Sequence, residues 1–303
     1  MGRLRQDQTR AMYLMVLGCL IFLPLMDTAA KVMGETIAST VIVLGRFSFQ
    51  SLFLLPFVWK SLYLPKGAEL RLHFMRSFSI AFSTVCFFTA IQVMPIADAL
   101  AIFFVMPLLV TLLAPWVLGE TVGWRRLAAV AVGMVGALII IQPGHEVFGL
   151  RALLPLLTAF GFSFYLMFTR KLAREVEGAG VPPLTMQFFS GSFGTLIMAA
   201  TIFCMQPFDF QIFEWAVPEL WQWRQLALVG FLAAVGHLLV TMAFKHADAS
   251  ILAPFQYIEL VGAAFLGWLV FDDIPAASTW LGSLILVGSG LYIFHRERVV
   301  DED

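Results

Sequence analysis

Residues 95–141 read PIADALAIFFVMPLLVTLLAPWVLGETVGWRRLAAVAVGMVGALIII, two long apolar segments joined by the polar turn LGETVGWRR. A degraded copy follows about 150 residues later, the kind of period that is sought before any other reading. Ala97-Asp98-Ala99 returns as Ala247-Asp248-Ala249, and each opens an apolar run. Leu118-Gly119-Glu120 returns as Phe271-Asp272-Asp273, and Gly133 and Gly136 are answered by Gly288 and Gly290. The chain therefore reads as two homologous halves, and the number of spans in each half decides the architecture.

Composition sets the solvent. Hydrophobic residues make up 60% of the chain and charged residues 13%, against roughly a quarter charged in soluble domains. A bilayer core needs about 20 consecutive apolar residues per helix, and such runs dominate. The sequence describes an integral membrane protein. A net charge of −1 carries no signal for nucleic acid, and none is expected as a partner. Cys19, Cys86 and Cys204 all fall inside apolar runs without paired or metal-type spacing, so they read as small core residues. Arg3, Arg5 and Arg10 before an apolar run imitate a signal peptide. Asp27 and Lys31 stand where a small-residue cleavage site would fall, which marks a retained first span.

Charge-free runs place ten helices, at 11–33, 36–59, 77–94, 99–118 and 127–142, then 152–169, 183–205, 225–244, 249–271 and 278–294. None shows strict alternation, so helices are the way to satisfy the backbone in lipid. With the N-terminus inside, fifteen lysines and arginines fall on the cytoplasmic side, Arg76 among them. Only Lys31, Arg151 and Arg224 fall outside, and Arg46 lies within a span. Both termini are expected to be cytoplasmic. Five is odd, so the second half enters from the opposite face. The expected fold is an all-α membrane protein whose ten transmembrane helices form two inverted five-helix repeats, 11–144 and 148–296. Many secondary transporters share that architecture and hold the solute where the halves meet; channels use it too. The tryptophans of the longest external connection, Trp215, Trp221 and Trp223, read as headgroup anchors, with substrate capture as the alternative.

Several fragments together resemble the drug/metabolite transporter superfamily, specifically its EamA type with two five-helix repeats. They are Leu44-Gly45-Arg46-Phe47, Phe88-Thr89-Ala90, Met94-Pro95-Ile96-Ala97-Asp98-Ala99, Pro107-Leu108, Gly119-Glu120 and Ile141-Gln142-Pro143-Gly144. The likeness is strongest over 36–144 and weaker over 148–296, where Asp272-Asp273 replaces the family's usual Gly-Glu. It implies a carrier of small organic solutes in the bacterial inner membrane, working by alternating access. The segment from Asp27 to Lys31 followed by Arg46 is similar to a branch that includes riboflavin and S-adenosylmethionine carriers.

Ionisable groups inside spans are functional candidates by default. Asp27 and Arg46 each lie seven residues from a helix end, roughly 10 Å below the outer surface at 1.5 Å per residue. They are placed to pair, with Lys31 one turn from Asp27 as a competitor; the pair fixes helix packing or meets a charged solute. Glu259 is near mid-membrane, with Gln256 and Tyr257 on the preceding turn, and His237 is similarly central. A carboxylate at that depth and a histidine, which titrates near neutrality, can couple a proton to solute movement; the plainer role for His237 is a core imidazole bonded to a carbonyl. Asp98 and Asp248 precede long helices and suit capping, and Glu120, Asp272 and Asp273 suit turns. Phe103, Phe104, Tyr165 and Tyr257 line a central cavity or serve ordinary packing. Gly133, Gly136, Gly282, Gly288 and Gly290 suit close helix contact, as scaffold or as a homodimer face.

An intramembrane enzyme would need a nucleophile with its base, paired aspartates or clustered metal ligands, and a channel would show polar rings; neither pattern is present. No cofactor, metal or catalytic residue is expected. The expected partners are a small organic solute, membrane lipid, and a proton or counter-substrate.

Overall fold

The structure, a computed structural model, describes residues 2–119, 122–142, 149–175, 181–208, 210–246, 252 and 255–301. Helix α1 (Gly2–Leu17), a π-helical turn (Gly18–Phe22) and α2 (Leu23–Met33) form the first apolar stretch. The rest of the first half is α3 (Ser39–Val58), α4 (Gly67–Val93), α5 (Ile96–Phe103), α6 (Met106–Leu118) and α7 (Trp124–Ile141). Then come α8 (Leu153–Glu175), α9 (Pro183–Met205), α10 (Leu220–His246), α11 (Ile258–Phe271) and α12 (Ala277–Asp301). Eight stretches are long and apolar enough to cross a membrane, and Ile258–Phe271 and Ala277–Tyr292 are shorter apolar helices. The protein is an all-α integral membrane protein with ten apolar helical stretches among the described residues. Glu120 and Asp248 lie outside the described residues.

The boundaries differ most at the third stretch. A charge-free run starts at Ser77, but α4 starts at Gly67 and carries Arg76 wholly inside the bundle. The charge does not end the helix because its N–H groups find partners on α8 and α9.

Packing runs across the two halves of the chain. Helix α4 lies on α8 and α9, α3 on α9 and α10, and α7 on α12. The first stretch lies along α10 and α11, α5 on α11, and α6 on α8. Glycine sets the tightest approaches: a Cβ at Gly282 would sit 2.5 Å from the Gly136 carbonyl, and one at Gly136 2.8 Å from that of Gly282. The α7–α12 seam thus takes up Gly133, Gly136 and Gly282, whereas a Cβ at Gly288 would meet nothing within 4 Å. At the π turn, a Cβ on Gly262 would meet the Leu20 carbonyl at 2.4 Å, so α11 can lie against the widened turn only with glycine there.

Among the described residues two stretches are broken. Between α5 and α6 the chain leaves the helix at Phe104 (φ −67°, ψ 4°). Pro107 explains this, since it has no N–H for the Phe103 carbonyl and its ring crowds that group. In the ninth stretch a turn at Tyr257 precedes α11. The breaks meet, with the Phe104 and Tyr257 rings edge-to-face at 4.9 Å between centroids.

One end of the bundle is cross-linked beyond these breaks. Lys31 Nζ, at the end of α2, reaches Asp273 Oδ2 at 2.8 Å and the Met94 carbonyl at 3.3 Å, and lies 4.6 Å from the Phe271 ring centroid. Beside it Thr279 Oγ1 donates to Asp98 Oδ1 at 2.6 Å. Asp98 is therefore not the cap expected from its position: it lies within the first turn of α5, where its charge suits the helix dipole, and its side chain ties α5 to α12.

Candidate functional site

A cavity of about 110 Å³ lies between the first stretch, α3, α4, the broken α5–α6 stretch, α8, α10 and α11. Each element delivers its side chain for a local reason. The π turn advances α2 out of phase with α1, which turns Cys19 and Asp27 inward. The break before α11 leaves Glu259 in the first helical turn, where free N–H groups and the positive end of the dipole favour an anion. The Pro107 break puts Phe103 and Phe104 on the same wall, and Phe103 packs edge-on against Phe87 and Phe162. An apolar shell with a few converging polar groups is the ordinary form of a small-molecule site.

Asp27, Arg46, Phe103, Phe104, His237, Gln256 and Glu259, all singled out from sequence, line this one cavity. Their pairing differs from expectation. Arg46 does not reach Asp27; its Nη2 lies 2.7 Å from His237 Nε2, and its plane sits over Phe47 at 4.4 Å. A guanidinium can only donate, so Nε2 of His237 accepts and the imidazole is neutral while the bond lasts. His237 is thus held by an arginine side chain rather than by a carbonyl. Lys31, the expected competitor for Asp27, is engaged by Asp273 instead. Within the cavity wall, Arg46 Nε and Nη1 and Asp27 Oδ1 are buried without a hydrogen-bond partner among the described residues. Buried polar groups without partners are costly, and here a guanidinium and a carboxyl group face the same space.

Tyr165 and Tyr257 stand elsewhere. Tyr257 is packed behind the wall between Phe104 and Gly290, where a Cβ would meet its hydroxyl at 2.2 Å. Tyr165 faces a second cavity of about 450 Å³, nearer the end of the bundle at which the chain starts. The two cavities share Met106, Phe162, His237, Val240 and Gln256. The second wall brings in residues that sequence reasoning passed over. Arg76 is buried there, and Gln187 Nε2 donates to Thr241 Oγ1 at 2.9 Å, which in turn donates to the His237 carbonyl at 2.6 Å. The available signal was polarity inside apolar runs, but glutamine and threonine are too ordinary in such runs to stand out. Among the described residues no three histidine, cysteine or acidic side chains gather as metal ligands.

A helical bundle with a phenylalanine-walled cavity beside two interrupted helices has the architecture of a membrane transporter. The chain is a member of the EamA-like transporter family, whose profile matches residues 10–142 and again 150–294. It is 27% identical to an S-adenosylmethionine uptake transporter of Rickettsia bellii, over 90% of this chain and 89% of that one. It is 30% identical to a riboflavin transporter of Rhizobium johnstonii, over 83% and 80%. A solved crystal structure superposes with a TM-score of 0.60 at 15% identity, covering 98% of this chain and 99% of the other, which is a likeness of fold.

Proposed function

We propose that this protein is a secondary carrier in the bacterial inner membrane that moves a cationic, carboxylate-bearing nucleoside of the S-adenosylmethionine type by alternating access. The observation that carries this reading is that Arg46 Nε and Nη1 and Asp27 Oδ1, buried without a hydrogen-bond partner among the described residues, face one aromatic-walled cavity with Glu259. A solute with an amino-acid carboxylate, a sulfonium and a flat base meets all three chemistries: guanidinium, carboxylates and ring faces. Riboflavin is uncharged and would leave the charges unanswered. Relatives named for both solutes are consistent with a small organic metabolite.

Alternating access is supported by the meeting of two broken helices at the cavity, a recurrent feature of transporter sites. The closed end at Lys31–Asp273 and the roomier cavity toward the other end suit a conformation that faces the cytoplasm, with both termini on that side. The halves 11–144 and 148–296 are read as inverted repeats of five spans. Glu259 is the proton-coupling candidate, because proton uptake by His237 would first have to break its bond to Arg46.

Counterflow in proteoliposomes tests the reading. Vesicles preloaded with unlabelled S-adenosylmethionine should accumulate the labelled compound transiently above its equilibrium level, and riboflavin should neither accumulate nor compete. Simple dissipation of the label would show a channel, and riboflavin counterflow would reverse the choice of solute.

A further inference from the structure

The larger cavity holds a charged group that the carrier reading leaves unused. Arg76 is 1% exposed, and its guanidinium is locked in place. Nε donates to Thr169 Oγ1 at 2.8 Å, Nη1 to the Met186 carbonyl at 3.0 Å and Ser190 Oγ at 2.7 Å, and Nη2 to the Tyr165 hydroxyl at 3.0 Å. It also lies over the Tyr165 ring at 4.7 Å. Every one of these partners is neutral, and among the described residues no carboxylate comes within ion-pair distance. A guanidinium carries five N–H groups, so the four bonds fix its orientation and leave one donor on Nη2 and the whole charge uncancelled. Buried charges are ordinarily paired. The only other formal charge on the described wall of this cavity is Arg170, so the wall has cations and no anion.

Size separates the two cavities. Small-molecule pockets occupy roughly 300–1,000 Å³; the cavity at Arg76, about 450 Å³, falls in that range, whereas the one at Arg46, about 110 Å³, is too small in this conformation. We infer that Arg76 is a second anion-binding station, which holds the carboxylate or phosphate group of a solute in the larger cavity while Arg46 holds it in the smaller one. His237 and Gln256 line both cavities and stand between the stations. The identity of the anion-bearing solute rests on the carrier reading above; the station itself rests on the geometry of Arg76.

Calorimetric titration of the purified wild type, Arg76→Gln and Arg76→Lys with S-adenosylmethionine and with its decarboxylated counterpart tests this, beside thermal melts with inorganic phosphate at constant ionic strength. The loss of one charge-assisted contact predicts that Arg76→Gln lowers affinity for the carboxylated compound roughly tenfold and leaves the decarboxylated one unchanged. Arg76→Lys, which keeps the charge, should recover part of the preference and controls for folding. Phosphate should raise the melting temperature of wild type and of Arg46→Gln but not of Arg76→Gln. If Arg76→Gln keeps the full carboxylate preference and the phosphate stabilisation, the station is overturned. If neither nucleoside binds wild type while phosphate stabilises it through Arg76, the solute assignment falls and the station stands.

Discussion

Arg46 and Glu259 face one cavity with different chemistry, a fixed cation and a carboxyl group able to exchange a proton, so replacing them should fail in different ways. Arg46→Gln removes the only cation on the described wall of that cavity. It should raise the KM for a carboxylate-bearing solute by about tenfold to a hundredfold, the range of one or two charge-assisted hydrogen bonds, with kcat less affected. Glu259→Gln keeps shape and hydrogen bonding but cannot bind and release a proton. Proton-driven uptake should disappear, and counterflow, which needs no net proton movement, should survive. Unchanged uptake with an unchanged pH profile in Glu259→Gln would remove Glu259 from coupling. Asp27, Arg46, His237 and Glu259 were legible because an ionisable group in an apolar run stands out against its neighbours. Their partners were not. The Arg46–His237 bond joins residues 191 apart in sequence, and Lys31 reaches Asp273 across 242. Arg76 escaped for a different reason: a span boundary drawn at the first charge places it outside the membrane, yet neutral acceptors on α8 and α9 hold it within the bundle.

At the scale of elements, the breaks and the closed end should be separable by mutation. Pro107→Ala restores an N–H that can bond the Phe103 carbonyl, and relieves a proline penalty of about 3 kcal/mol if the helix straightens. The variant should be at least as heat-stable as wild type and transport at least roughly tenfold more slowly, a barrier change of about 1.4 kcal/mol. Normal transport in a stabilised Pro107→Ala would show that the break is not needed. The Lys31–Asp273 contact is partly sheltered, with side-chain exposures of 15% and 29%, so its net worth is small, about 1 kcal/mol with the neighbouring Phe271 ring. That is enough to shift a two-state balance several-fold. Cys19 lines the central cavity and reports the shift. In a background with Cys86 and Cys204 replaced by serine, Asp273→Asn should raise the rate at which an impermeant thiol reagent added outside reaches Cys19. Equal rates with and without Asp273 would mean that the contact does not gate that end. Proline in an apolar run was plain in the sequence, but hydropathy is continuous across residues 96–118 and gives no sign that the helix is interrupted. The π turn left no signal at all, since its residues, Gly18–Phe22, are ordinary for a span.

At the scale of the molecule, the packing pattern itself bears on the repeat. Number the apolar stretches one to ten and exchange the first five with the last five. The contact of α4 with α8 then becomes that of the first stretch with α10, and α3 on α10 becomes α9 on α4. The pairs α3–α9, α5–α11 and α7–α12 map onto themselves. This exchange symmetry is what two homologous halves packed about a two-fold axis produce. The two halves are read from the degraded repeat in the sequence; which helices touch was beyond it, because side-chain complementarity between distant stretches has no local signature. Packing symmetry alone leaves the number of crossings per half open, and crossings are what invert the second half. With five, the junction between halves and the start of the chain lie on opposite sides of the bilayer. Single cysteines at Arg10 and Arg151, in a background without the native cysteines, therefore decide the matter. An impermeant maleimide added to intact cells should label the cysteine at position 151 and spare the one at position 10, and inside-out vesicles should reverse the result. Labelling of both from one side would mean an even number of crossings. The halves would then be parallel, the Lys31–Asp273 contact and the cavity at Arg76 would no longer mark opposite gates, and access could not alternate between them.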